Sequence, residues 1–154
     1  MNMETMDQIL ARQAFFADFP PEFAALLAGC ASNCHFKAGE YIIHEGDPAD
    51  RFYLVRQGKV ALEIAAPARA PVVITTLGEG QIVGMSWLVA PYRSEFDARA
   101  MEPVRAIAID AACLRGKCEV DHHLGYEMMK RFLPVIVKRL HATRLQVLDV
   151  YGHN

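Results

Sequence analysis

An antiparallel β-roll enclosed by helices at both ends is the fold class that the sequence predicts, and three observations predict it. Between Tyr41 and Ile109, six short segments rich in β-branched and aromatic residues are punctuated by glycine. Apolar residues recur at helical spacing before Gly29 and after Asp110. No helical pattern alternates with the β segments, so the strands belong to a closed or rolled antiparallel structure rather than to βαβ units.

Residues 4 to 28 are expected to be helical, with Met6, Ile9 and Leu10 and then Phe23, Leu26 and Leu27 at helical spacing. Pro20 and Pro21 divide that stretch in two, and Gly29 stops it. From Cys34 the pattern changes to strands, expected at Tyr41 to His44, Arg51 to Arg56, Val60 to Ala65, Val72 to Leu77, Phe96 to Ala100 and Val104 to Ile109. Helix returns around Ala111 to Cys118 and again from Asp121 to the end. The expected organisation is one domain over 1–154, with helices over 1–33, a β-roll over 34–110 and helices over 111–154.

The tail has two apolar faces. Tyr126, Met129, Leu133, Ile136, Leu140, Thr143, Val147 and Val150 alternate steps of three and four, the seam of a coiled coil. Leu124, Met128, Phe132, Val135, Ala142 and Leu145 form a second stripe that suits packing on the chain's own roll. A homodimer is therefore expected, and Pro134 is expected to kink or split the helix. Lys130, Arg131, Lys138, Arg139 and Arg144 read as the solvated face of that helix.

Composition narrows the function classes. A chain of 154 residues with 53 % hydrophobic content buries a core, which excludes general disorder. Its formal net charge of −2 offers no whole-molecule field for nucleic acid or anionic membrane. The opening residues include Glu4 and Asp7 and no cationic stretch before an apolar run, so a cytoplasmic location without a secretory signal or membrane span is expected. The spacings Cys30-x3-Cys34 and Cys113-x4-Cys118 are not those of a zinc knuckle, and buried reduced thiols are the expectation.

The candidate site lies between Gly80 and Ala98. Glycines at 80 and 84, a short helical piece and Arg93 leading into a strand together form a layout that holds an anion: backbone N–H groups supply partial positive charge, and an arginine fork grips two oxygens. This order of parts resembles the phosphate-binding cassette of the cyclic-nucleotide-binding domain family, the sensor half of catabolite-activator-type regulators. Gly39 to Val60 is similar to that family's first β-hairpins and the tail to its dimer helix, so the resemblance covers nearly the whole chain.

The resemblance implies a jelly-roll-like double-stranded β-helix with a C-terminal dimerisation helix, and a regulatory function without catalysis. Carried onto this chain, Gly84 matches the cassette glycine, Arg93 the phosphate-binding arginine and Ser94 its hydroxyl neighbour, with Ser86 between them. Met85 stands where the family has a ribose-binding glutamate, and Trp87 where it has a small residue. Thr143 aligns with the helix threonine that touches the base. The implied ligand is a cyclic nucleotide, cAMP or cGMP, or another small anion, and the implied output is an unidentified protein partner. In the resembled regulators a helix-turn-helix domain follows the dimer helix; here the sequence ends at Asn154, so direct DNA binding is not expected.

Two other readings stay open on the residues alone. Met85 and Trp87 filling the pocket would make the chain a structural interaction module, with Arg93 paired to Glu95 or Asp97 on its strand face. His44-Glu45 is a fragment of a cupin-like metalloenzyme site, which needs more imidazoles than are present. His122 and His123 point to different sides of a helix, and His35, His44 and His141 are lone candidates for haem ligation. No nucleophile and base pattern appears, and neither catalytic residues nor a metal site are assigned.

Overall fold

The computed structural model describes residues 4–152. The chain runs α1 (Met6–Ala11), a 3-10 turn (Ala14–Phe16), α2 (Pro21–Ala28), β1 (Ala31–Phe36), β2 (Tyr41–Ile43), β3 (Arg51–Gln57), β4 (Val60–Ile64), β5 (Val72–Leu77), β6 (Ile82–Val83), a second 3-10 turn (Ser86–Leu88), β7 (Asp97–Ala100), β8 (Val104–Asp110), α3 (Ala111–Val120) and α4 (His122–Gly152). Two four-stranded sheets, β1-β8-β3-β6 and β2-β7-β4-β5, pair antiparallel throughout. The predicted roll with flanking helices and a long C-terminal helix is the observed fold.

Four boundaries differ from expectation. The first helical stretch leaves helix at Ala11, well before the prolines, and Pro21 then opens α2 because its fixed φ and missing N–H suit a first helical position. Strand begins at Ala31 rather than Cys34, since Ala31 to Phe36 pair along β8. Ile82–Val83 is an additional strand, paired with Tyr53 and Leu54. Pro134 does not split α4. The helix is held to the roll on both sides of it, by fully buried Phe132 before and by hydrogen bonds from Arg139 and Gln146 to the carbonyls of Ile82 and Ile74 after.

The first sheet is covered on both faces, which explains its nearly continuous apolar strands. Phe52, Leu54, Ile107 and Ile109 face the helices, where they meet Leu10, Phe16, Phe23, Leu27, Leu114, Leu124, Met128 and Phe132. Their neighbours Tyr53, Val55, Ala106 and Ala108 face the second sheet and meet Val60, Leu62, Leu77 and Ala98. Side chains alternate across a strand, so one run of sequence serves two cores. Gly58 makes the β3–β4 turn at φ +100°, where a Cβ would stand 2.5 Å from the Pro103 carbonyl oxygen.

Arg131 corrects the reading of the tail's cations as a solvated face. Its side chain is 10 % exposed, its Nη1 donates to Glu127 Oε2 at 2.6 Å, its Nη2 donates to the Ala17 carbonyl at 2.9 Å, and its guanidinium lies 4.6 Å above the Phe19 ring. The Arg131 hydrogen bond, against some opposing burial, holds the Glu127 carboxyl below its ordinary 4.5. A depressed carboxylate contributes stability that is complete above pH 4.5 and lost as pH falls through the folded-state value. Glu127→Gln should therefore flatten the acid side of a Tm-versus-pH curve below pH 4.5, and parallel curves for the two proteins would contradict the assignment.

Candidate functional site

The cassette begins where β6 ends. Gly84 is buried at φ +99°, a conformation that glycine adopts without strain and that turns the chain into the 3-10 turn at Ser86–Leu88. Ser86 is half-buried, and its carbonyl accepts from Val89 N at 3.3 Å. The turn sends Trp87 inward rather than toward the ligand space. Trp87 is 2 % exposed, stacks on Phe52 at 5.1 Å and 13°, and meets Phe132 edge-on at 5.4 Å. It lines a cavity of about 130 Å³ with Tyr92, Arg115 and Met128, a different space from the one that Met85 lines. The expectation that Trp87 fills the candidate pocket is thus corrected: the indole is a core group joining the roll to α4.

Past the turn, Arg115 of α3 donates to the Trp87 carbonyl at 2.8 Å and covers the Tyr92 ring at 4.0 Å. Arg93 then bridges to Pro48, and its Nη1 donates to the Gly46 carbonyl at 3.0 Å. No carboxylate lies within ion-pairing distance of Arg93 among the described residues. Of the two candidates weighed for it, Asp97 is engaged elsewhere, its Oδ1 accepting from Glu45 N at 2.7 Å. Arg99 makes a two-pronged bond to Glu63, at 3.1 and 2.9 Å, and neutralises a carboxylate that is 1 % exposed. That hydrogen bond and charge raise the Arg99 pKa.

Between the second sheet and α4 lies a cavity of about 190 Å³, lined by Leu62, Ile74, Thr75, Met85, Phe96, Arg139, Ala142, Thr143 and Gln146. Its walls are mostly apolar, with polar groups entering from α4 and, at Thr75, from β5. Thr143 Oγ1 donates back to the Arg139 carbonyl at 2.9 Å, and Gln146 Nε2 donates to the Ile74 carbonyl at 3.0 Å. Arg139 Nη2 donates to the Ile82 carbonyl, while its Nη1 is buried and has no hydrogen-bond partner. Desolvation lowers the Arg139 pKa, yet a guanidinium keeps its proton at any physiological pH. A half-buried cation with one buried, unmatched N–H group at the wall of a cavity is an attractive place for an anion.

The structure thus distributes the six candidate residues. Met85 and Thr143 share the cavity beneath α4. Ser94 borders a neighbouring space of about 320 Å³ with Asp47, Asp50, Arg51 and Tyr53, and Arg93 is exposed beside it. Gly84 and Ser86 flank Met85 in the chain and line neither space. Arg139 and Gln146 were missed as candidates because a cation or an amide on an amphipathic helix looks the same in sequence whether it meets solvent or a cavity. Arg139 is also the second tail cation that is not on a solvated face.

Two of the histidines raised by the sequence have local partners. His44 stacks on Tyr41 at 4.8 Å, and His123 lies against Phe23 and 3.5 Å from Glu127. No group of three His, Cys, Asp or Glu side chains is placed to share a metal among the described residues. Among those residues too, no helix is long and apolar enough to cross a membrane.

Comparisons with known proteins agree with this architecture. The Cyclic nucleotide-binding domain family matches residues 33–121. A CRP-like cAMP-activated global transcriptional regulator of Mycobacterium tuberculosis is 29% identical over 145 residues, or 94% of this chain, and the chain spans 63% of that regulator's length. A Geobacter metallireducens structure named for cyclic nucleotide binding has a TM-score of 0.80 at 29% identity, over 90% of this chain and 100% of that one. A cAMP-binding acyltransferase from Mycobacterium smegmatis has a TM-score of 0.70 at 25% identity, over 89% of this chain but 41% of its own, so the same domain type also occurs within an enzyme. With the roll and the family match in agreement, this chain belongs to the cyclic nucleotide-binding domain family.

Proposed function

We propose that the chain is a non-catalytic, cytoplasmic sensor module that takes a small anion of cyclic-nucleotide type beneath α4 and signals through a homodimer of that helix to a protein partner, without contacting DNA itself. The observation that carries this reading is the buried Arg139 Nη1, unpartnered beside Thr143 and Gln146 at the wall of a mostly apolar cavity. A ring system suits the walls, and a phosphate suits the guanidinium. The cavity of about 190 Å³ is smaller than the ~300 Å³ of a typical small-molecule site, so entry requires α4 to move outward. An anion competing with the Ile82 carbonyl for Arg139 would supply that motion, and Arg93 and Ser94 would complete the grip from the cassette side.

Met85 tempers the affinity. At the position of a carboxylate it accepts no hydrogen bond from a ribose, and a charge-assisted bond is worth about 1.5–3 kcal/mol, or one to two decades. Calorimetric titration with cAMP, cGMP and cyclic dinucleotides should show weak binding by the native chain, and Met85→Glu should tighten it about 10- to 100-fold for a ribose-bearing ligand. No heat from any of these ligands with either protein would reject the sensor reading. It would favour a structural interaction module, the reading supported by Arg93 lying on the Gly46 carbonyl rather than in the cavity.

A further inference from the structure

We propose that Cys30 and Cys113 are a peroxide-reactive pair that closes to a reversible disulfide and braces α3 against the roll. The juxtaposition is built by the sheet. Cys30 immediately precedes β1, and its carbonyl accepts from Asp110 N, the last residue of β8, at 2.7 Å. Asp110 then caps α3 by accepting from Cys113 N at 2.9 Å. A strand pairing and a helix cap therefore fix both backbones, and the two Sγ atoms stand 2.7 Å apart although the residues are 83 positions apart in sequence. Sulfurs at 2.7 Å need only a small side-chain adjustment to reach the roughly 2.0 Å of an S–S bond.

The two thiols have different roles. Cys113 is exposed and meets a solute first, whereas Cys30 is 8 % exposed. Burial, followed by the hydrogen bond with Cys113, pushes the Cys30 thiol up to about 11, and Lys117 opposes that shift. In the reaction, the Cys113 thiolate attacks hydrogen peroxide or an organic hydroperoxide. An S–O bond forms, the O–O bond breaks, and water or an alcohol leaves. Cys30 Sγ then attacks the Cys113 sulfenic sulfur; the S–S bond forms, the S–O bond breaks, and the departing hydroxide takes the Cys30 proton as water. Two thiols and one peroxide thus become one disulfide, with water as the by-product, and a dithiol restores the thiols.

The location gives the bond its consequence. The first turn of α3 becomes covalently joined to the start of β1, while further along the same helix Arg115 holds the Trp87 carbonyl and Lys117 holds the Leu26 carbonyl at 3.0 Å. Oxidation would fix a helix that touches the turn through Arg115 and leads directly into α4. Cys34 and Cys118 do not share this arrangement: Cys34 Sγ lies 3.5 Å from the Ala106 carbonyl, and burial raises both thiols.

The test needs no nucleotide, so its outcome is independent of the sensor reading. The full chain is treated with stoichiometric hydrogen peroxide, alkylated and mapped by mass spectrometry, and its Tm is measured before and after. Expected are a 2 Da loss, a cross-linked peptide pair containing Cys30 and Cys113 that dithiothreitol releases, and a rise in Tm of roughly 5 °C or more from closing so long a loop. Cys113→Ser, at an exposed position, should abolish all three changes. Sulfinic acid at Cys113 with Cys30 still alkylatable, a bond between chains through Cys113, or a mapped bond that leaves Tm unmoved would overturn the proposal.

Discussion

Trp87→Ala is expected to cost the fold about 3–5 kcal/mol, the range for truncating a large buried aromatic. The indole is 2 % exposed and sits between Phe52 of β3 and Phe132 of α4, so its removal opens a cavity at the contact between sheet and tail. Little can collapse into it, because Phe52 is fixed in a strand and Phe132 is fully buried on the other side. Trp87→Phe should cost far less. The Trp87 Nε1 is buried without a hydrogen-bond partner, and replacing it with a carbocyclic ring removes an unsatisfied donor along with the lost area. Urea unfolding followed by far-UV circular dichroism measures both, and an alanine cost below about 1 kcal/mol would show that Trp87 does not join the tail to the roll.

The second large effect is expected at the outer face of α4. Replacing Leu140 and Val147 together with glutamate should weaken self-association at least ~100-fold, since each change puts an unpaired carboxylate into an apolar seam opposite its own symmetry mate. The motivation is exposure. Tyr126, Met129, Leu133, Leu140, Val147 and Val150 are 61, 60, 58, 52, 49 and 72 % exposed in the single chain, a contiguous apolar stripe of the kind that a partner covers. Light scattering across micromolar concentrations reads the result; a native chain that is already monomeric there would remove the basis of the helix-mediated signal.

Legibility in the sequence followed how much of the signal was local. β3 and β8 were evident because burial on both faces demands continuous apolar runs, and α4 because its stripe persists for many turns. Ala31, Ser32 and Asn33 carry no strand propensity of their own and are strand only because Ile109, Ala108 and Ile107 pair with them. Ile82–Val83 is too short to show any period. For the site, Met85 and Thr143 could be named from a motif and a helix register, and the fold brings them to one cavity. Arg139 could not. Whether a cation on a helix meets water or a cavity depends on which strand ends beneath it, and here that is β6, the strand that the sequence did not reveal.

The course of α4 also bears on what a single chain can keep folded. Up to Phe132 the helix rests on the roll, but from Leu140 to Tyr151 every residue is solvent-exposed, and Pro134 withdraws one main-chain hydrogen bond between the two parts. An isolated helix of about a dozen residues is marginal in water. Arg139 and Gln146 tie its nearer turns to the roll, so the helicity of the exposed part would rise by mass action with any partner that covered the outer stripe, and helix length would then follow concentration as well as sequence.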